Sequence, residues 1–225
     1  DHHALVFDGS TKLLNGNDGG VYYSTNINAG TPLFSSKNTG YNVTQYYACD
    51  VHPTNSNYFL AGAQDNGSQK FTTAGINSTS TVSGGDGGFC HIDKTDGQLQ
   101  ITSSTSNNYY RSLNGGSSFS SLGGTINNDR GQFINPTDFD DAQQILYGGD
   151  DAGKYYCISN IGGTPSSLYI NLPALGNMEL TAVKVDPQNV HTIWIGASFG
   201  TPLLVPRVIK ISNANTTSPV VLTIA

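Results

Sequence analysis

Apolar residues in this chain come in short runs, separated by clusters of Gly, Ser, Thr, Asn and Asp. Five runs share one form: Leu13-Leu14-Asn15-Gly16, Phe59-Leu60-Ala61-Gly62, Leu99-Gln100-Ile101-Thr102, Ile145-Leu146-Tyr147-Gly148 and Ile193-Trp194-Ile195-Gly196. Measured on their fourth residues, the runs recur at steps of 46, 40, 46 and 48 residues. Runs this short, bounded by turn residues, predict strands, and no stretch carries a helical period. A period of about 40–50 residues built from short strands predicts a β-propeller.

The other strands fall into register around these five. First strands are predicted at 3–8, 46–53, 88–93, 130–136 and 181–187. Each closes on Asp or Asn, often with Pro beside it, which is turn chemistry. Third strands are predicted at 21–24, 68–71, 109–112, 155–159 and 208–212. Fourth strands are weaker, and the best are 166–170 and 220–224, as expected where an outer strand meets water. The expected architecture is all-β: one propeller domain over 1–225, with five four-stranded blades at about 1–40, 41–84, 85–126, 127–176 and 177–225. The repeats also suit an arc of a seven-bladed or larger ring.

In such blades, loops leading into first strands and loops joining second to third strands share one end. This collects His2, His3, Asn17, Asp18, Gln64, Asp65, Asn66, Asp86 and Arg130, together with Asp129, Asp150, Asp151 and Glu179. All but Asp18 among the first nine are read as candidate ligand-binding residues. Asp18, Asp65 and Asp86 on consecutive blades raise the further possibility of a paired carboxyl site. A glycosidase needs two such groups about 5 Å apart for retention or about 6.5–9.5 Å apart for inversion. Asp-Gly and Asp-Asn-Gly are also ordinary tight-turn sequences, so a turn role stands beside the chemical one. No metal site is predicted: His2 and His3 adjoin on a strand and point to opposite faces, and no EF-hand loop is present. Calcium held by Asp and Asn oxygens is the one cofactor considered.

Composition narrows the partners. The net charge is −6, and the ten Lys and Arg form no basic stripe, so nucleic acid is not expected. No apolar run reaches the ~20 residues of a spanning helix, so no membrane insertion is expected. Cys49, Cys90 and Cys157 form no even disulfide framework; three buried thiols are expected, with one bridge left open. The scarcity of Lys and Glu leans towards an extracellular setting. Tyr pairs recur at 22–23, 46–47, 109–110 and 155–156, and three of them occupy equivalent third-strand positions, which predicts packing between blades rather than a sugar-stacking platform.

The segments Asn-Asp-Gly-Gly-Val-Tyr-Tyr-Ser (17–24), Ala-Gln-Asp-Asn-Gly-Ser (63–68) and Gly-Gly-Asp-Gly-Gly (84–88) resemble those of secreted bacterial BNR-repeat propellers. Ser112 to Phe119 is similar to an Asp-box of that group, with Asn114 and Phe119 in place of Asp and Trp, and looser copies start at Ser24 and Ser159. The group is related to sortilin-type and xyloglucanase-type propellers. The resemblance implies an extracellular module that binds a polysaccharide or protein, in a protein of seven or more blades of which this chain, starting without Met, is a processed or truncated piece. It implies for Asp18 the role of a catalytic carboxylate acting on β-glucan; no matching second acid is found. A purely architectural subunit, associating through blade edges or with missing blades, is the third expectation.

Overall fold

A computed structural model describes residues 2–41, 44–75, 77–199 and 205–224. They fall into two compact units, 1–44 and 45–225. The first carries one antiparallel sheet of β1 (His2–Asp8), β2 (Lys12–Asn17), β3 (Gly20–Ser24) and β4 (Ser35–Ser36), hydrogen-bonded in chain order. Its turns are closed by side chains. Asn17 Oδ1 accepts the Gly19 N–H at 2.9 Å, and Asn26 N–H donates to Ser24 Oγ at 3.3 Å.

The second unit holds four more sheets of the same form. Sheet two is β5 (Ala48–Val51), β6 (Phe59–Ala63), β7 (Gly67–Phe71) and β8 (Ser80–Ser83). Sheet three is β9 (Cys90–Ile92), β10 (Gln100–Ser103), β11 (Tyr109–Ser112) and β12 (Ser120–Ser121). Sheet four is β13 (Thr137–Asp140), β14 (Ile145–Gly149), β15 (Lys154–Ser159) and β16 (Ser166–Asn171). Sheet five is β17 (Glu179–Val185), β18 (Ile193–Ser198), β19 (Arg207–Ser212) and β20 (Val220–Thr223). Every sheet runs in chain order with antiparallel neighbours. The five second strands and five third strands lie where the repeat placed them.

Alternation explains how the sheets stack. In sheet four, Phe139, Leu146, Tyr156 and Ile158 meet Leu99, Ile101 and Tyr109 of sheet three. The intervening residues Tyr147, Tyr155 and Cys157 meet Ile193, Ile195 and Ile209 of sheet five. A strand buried on both faces has no polar face left, which is why 145–147 reads as a continuous apolar run. Tyr109, Tyr155 and Tyr156 are buried as their register predicted, whereas Tyr22, Tyr23 and Tyr110 are only partly covered. Cys90 and Cys157 are buried free thiols, and burial pushes them up to about 12 and about 11; Cys49 is free but exposed.

One strand is misplaced by the sequence pattern. The first strand of sheet four is Thr137–Asp140, not 130–136. Residues 131–136 instead form a loop folded around the buried Asn135. Gly131 sits at φ +85°, Asn135 Oδ1 accepts the Gln132 N–H at 3.1 Å, and Pro136 precedes the strand rather than ending it.

Carboxylates fasten neighbouring first strands. Asp50 of sheet two accepts the Ile92 N–H at 2.6 Å and Lys94 Nζ at 2.5 Å. Asp138 of sheet four repeats the arrangement on sheet five, accepting Val185 N–H at 2.8 Å and Lys184 Nζ at 2.9 Å. Each carboxyl thus satisfies a backbone N–H of the next sheet, a charge-assisted bond of the stronger kind.

Candidate ligand site at one end of sheets four and five

The first strands of sheets two to five line a groove of about 620 Å³. His91 and Asp141 stand in its wall with opposite tendencies. Burial holds the His91 imidazole down to about 4, and its Nε2 lies 2.9 Å from Thr137 Oγ1. Burial first, and the carboxyls of Asp93 and Asp50 after it, push Asp141 up to about 6, although its Oδ1 accepts the Lys94 N–H at 2.8 Å.

These shifts carry opposite linkage. The unfolded chain takes up the His91 proton more readily, so acidification from 6.5 to about 4 costs stability. The folded chain takes up the Asp141 proton more readily, so acidification from about 6 to 3.8 adds stability. The two oppose between about pH 4 and 6. Asp141→Asn is therefore expected to lose stability more steeply than wild type as pH falls through that window, and His91→Gln to gain it. Urea midpoints at pH 4.5, 5.5 and 7 read the difference; parallel profiles for all three proteins would contradict it.

The groove gathers few of the residues singled out from the sequence. Those lie at loop ends. In the first unit, His3 Nε2 bonds Asp18 Oδ1, and His2 Nδ1 is 3.0 Å from Asn15 Oδ1. His2 and His3 do point apart, each to its own partner. Asp8, the unit's other described acid, sits at the β1–β2 turn, the end opposite Asp18. In the second unit, Asp65 and Asp86 do come together: Asp86 Oδ1 accepts the Asp65 N–H at 2.7 Å, with Asp65 at φ +60°. Gln64 Oε1 accepts the Tyr47 hydroxyl, and Asn66 Nδ2 donates to the Gln64 carbonyl at 3.1 Å. Asn66 thus closes its own turn, Asp86 ties the loop before β9 to the β6–β7 turn, and Gln64 ties that turn to Tyr47.

Arg130 is different. Its Nη1 lies 3.2 Å from Asp150 Oδ2 and its Nε 3.4 Å from Asp151 Oδ2, with the guanidinium 6.0 Å from the Tyr169 ring centre. Beside it, Gly131, Gln132, Phe133, Asp150, Asp151, Ala152 and Glu179 line a cleft of about 470 Å³. The loop before β13, the β14–β15 loop and the start of β17 all lie at one end of their sheets. Antiparallel order alone brings them together. Gln132 Nε2 donates to the Leu180 carbonyl at 2.6 Å and so fixes the cleft's floor to sheet five. The Phe133 ring is half exposed, at 52%. The Asp150 side chain is fully buried, and its Oδ1 has no hydrogen-bond partner among the described residues.

Of this cleft, the sequence picked out Arg130 alone as a ligand residue. Asp150, Asp151 and Glu179 were placed at the correct end but given no role. Phe133 was hidden in a strand that does not exist. The double Asp in a second-to-third-strand loop was the one available signal. Among the described residues, no group of three or more His, Cys, Asp or Glu converges as metal ligands. No described helix is long and apolar enough to cross a membrane.

Solved structures with the same arrangement of sheets are β-propellers. An ancestral GH74 enzyme superposes over 99% of this chain with a TM-score of 0.63 at 18% identity. The GH74 xyloglucanase from Xanthomonas campestris does so over 99% with 0.61 at 14% identity. The β-propeller domain of Cps50 (Swd1) from Myceliophteria thermophila matches over 94% with 0.61 at 10% identity. The fold is a β-propeller. This chain spans 31% and 38% of the two GH74 chains and 68% of the Cps50 domain. No protein-family model matches the chain, and no curated protein matches it by sequence.

Proposed function

We propose that this propeller is an extracellular carbohydrate-binding module whose contact surface is the cleft between sheets four and five. The carrying observation is the half-exposed Phe133 ring set beside Gln132, Asp150, Asp151 and Glu179 in one concave site. A sugar ring offers an apolar face to an aromatic side chain and hydroxyl donors to carboxyl oxygens, and specific pockets combine these two features. The likeness in fold to GH74 enzymes, one of them named a xyloglucanase, supports a carbohydrate setting and an extracellular one. The hairpins capped by Ser24 with Asn26 and by Ser112 with Asn114 support reading them as degenerate Asp-boxes of the secreted BNR type. Binding is preferred to hydrolysis because Asp18, the residue that resemblance marks as catalytic, faces His3, and Asp8, the other acid among the described residues of its unit, lies at the opposite end.

Affinity electrophoresis against soluble polysaccharides, with calorimetry on any that retard the protein, tests the reading. Phe133→Ala is expected to weaken binding about tenfold, which is ~1.4 kcal/mol. Retardation that survives Phe133→Ala unchanged, or none on any polysaccharide, would remove it; release of reducing ends would replace it with hydrolysis.

A further inference from the structure

The charges around the cleft do not balance. Asp150, Asp151 and Glu179 supply three carboxyl groups. The cations beside them, Arg130 and Lys154, both serve the aspartates: Arg130 reaches Asp150 and Asp151, and Lys154 Nζ lies 4.0 Å from Asp151 Oδ2. Glu179 makes no ion pair among the described residues and is exposed at the cleft. Asp150 adds a second and independent sign. Its side chain is fully buried and one of its two oxygens already accepts from Arg130, yet Oδ1 has no partner among the described residues. A buried carboxyl oxygen left without a donor is unfavourable, so the site gains from an incoming donor.

We propose that the cleft takes a protonated primary amine carried on a hydroxylated chain, that is, an amino-sugar polymer. The proposal rests on the carbohydrate reading above and specifies its ligand class. An ammonium group brings three donors and a unit charge, and so answers both the missing donor and the surplus acid. The exposed Phe133 face favours the same group, since a cation over an aromatic ring is attracted to it. A neutral sugar would satisfy Asp150 through a hydroxyl but leave Glu179 uncompensated. A divalent cation would need several converging oxygen ligands, and the described carboxyls do not converge in that way.

The test compares a fully deacetylated glucosamine oligomer with its N-acetylated counterpart of equal length, titrated into the whole chain at pH 6 and low salt. The deacetylated oligomer is expected to bind at least tenfold tighter, with affinity falling as salt rises. Glu179→Gln, an exposed and nearly isosteric change, is expected to weaken it about fivefold or more while leaving the thermal midpoint in place. Asp150→Asn is expected to weaken binding as well, and the Glu179 variant keeps the test valid if that protein fails to fold. Equal affinity for the two oligomers, with both lost in Phe133→Ala, would overturn the amine and keep the carbohydrate reading. Affinity indifferent to Glu179→Gln would mean general attraction of a polycation to an acidic protein, and overturns the proposal. So would calcium raising the thermal midpoint through Glu179, and so would no binding of either oligomer.

Discussion

Gly62→Ala is expected to cost about 3 kcal/mol or more, lowering the urea midpoint sharply and with it the yield of folded protein. Gly62 lies in β6, and a methyl group there would fall 2.6 Å from the backbone nitrogen of Gly88 and 2.7 Å from the carbonyl carbon of Gly87. Those atoms belong to the segment leading into β9, so the obstacle is main chain and has no rotamer to give. Relief would have to come from parting sheets two and three. Parting them would stretch the bonds that fasten them: Asp50 to the Ile92 N–H at 2.6 Å, Tyr58 hydroxyl to Gln100 Oε1 at 2.8 Å and Lys70 Nζ to the Gly116 carbonyl at 2.8 Å. Gly84→Ala is the matched control. A methyl there meets nothing within 4 Å, so the same substitution is expected to be neutral or to stabilise by a few tenths of a kcal/mol. Equal midpoints for the two variants would mean that the sheets do not approach as described.

The contrast between Gly62 and Gly84 also shows what a sequence can and cannot reveal. The repeat unit was readable because each buried strand must alternate or run apolar, and that constraint acts within a few residues. Thus β14 and residues 155–158 of β15 carry no charged side chain because two sheets cover them, and both strands fall within a residue of their predicted bounds. The crowding at Gly62 depends on the path of a neighbouring sheet, which no local pattern carries. Fourth strands were faint for the complementary reason. β4 and β12 are two residues long, and β20 is exposed along its whole length, so burial imposes little on their composition.

The site was less legible than the fold. Topology correctly assigned Arg130, Asp150, Asp151 and Glu179 to one end, since that follows from antiparallel order alone. It could not rank them against Gln64, Asn66 and Asp86, whose side chains are equally polar but already take part in hydrogen bonds within and between loops. The ranking depends on which hydrogen bonds are already made. Phe133 was lost for a more specific reason: Gln132-Phe133-Ile134-Asn135-Pro136 has the apolar content and Asx-Pro ending of a first strand. What overrides that pattern is the demand of a buried amide for partners.

That amide gives the other large effect. Asn135 is almost wholly buried, and its Nδ2 donates to Asn107 Oδ1 at 2.6 Å and to the Gly149 carbonyl at 2.7 Å, while its Oδ1 holds the Gln132 N–H. The hydroxyls of Tyr109 and Tyr156, bonded to each other, complete the network. Asn135→Ala takes a donor from Asn107 Oδ1 and from the Gly149 carbonyl and the acceptor from the Gln132 N–H, and is expected to cost about 3 kcal/mol. Because the freed loop carries Gln132 and Phe133, the binding proposed for the cleft should weaken along with stability. Asn135→Asp separates hydrogen bonding from volume. It keeps an oxygen for Gln132 but turns an acceptor towards Asn107 Oδ1 and the Gly149 carbonyl, so at pH 7 it should be at least as damaging as alanine. At pH 4 a protonated carboxyl regains one donor, and part of the loss should return. Urea unfolding of both variants at the two pH values reads this directly. An aspartate variant as stable as wild type at pH 7 would mean that the loop before β13 is held by its packing and not by this amide.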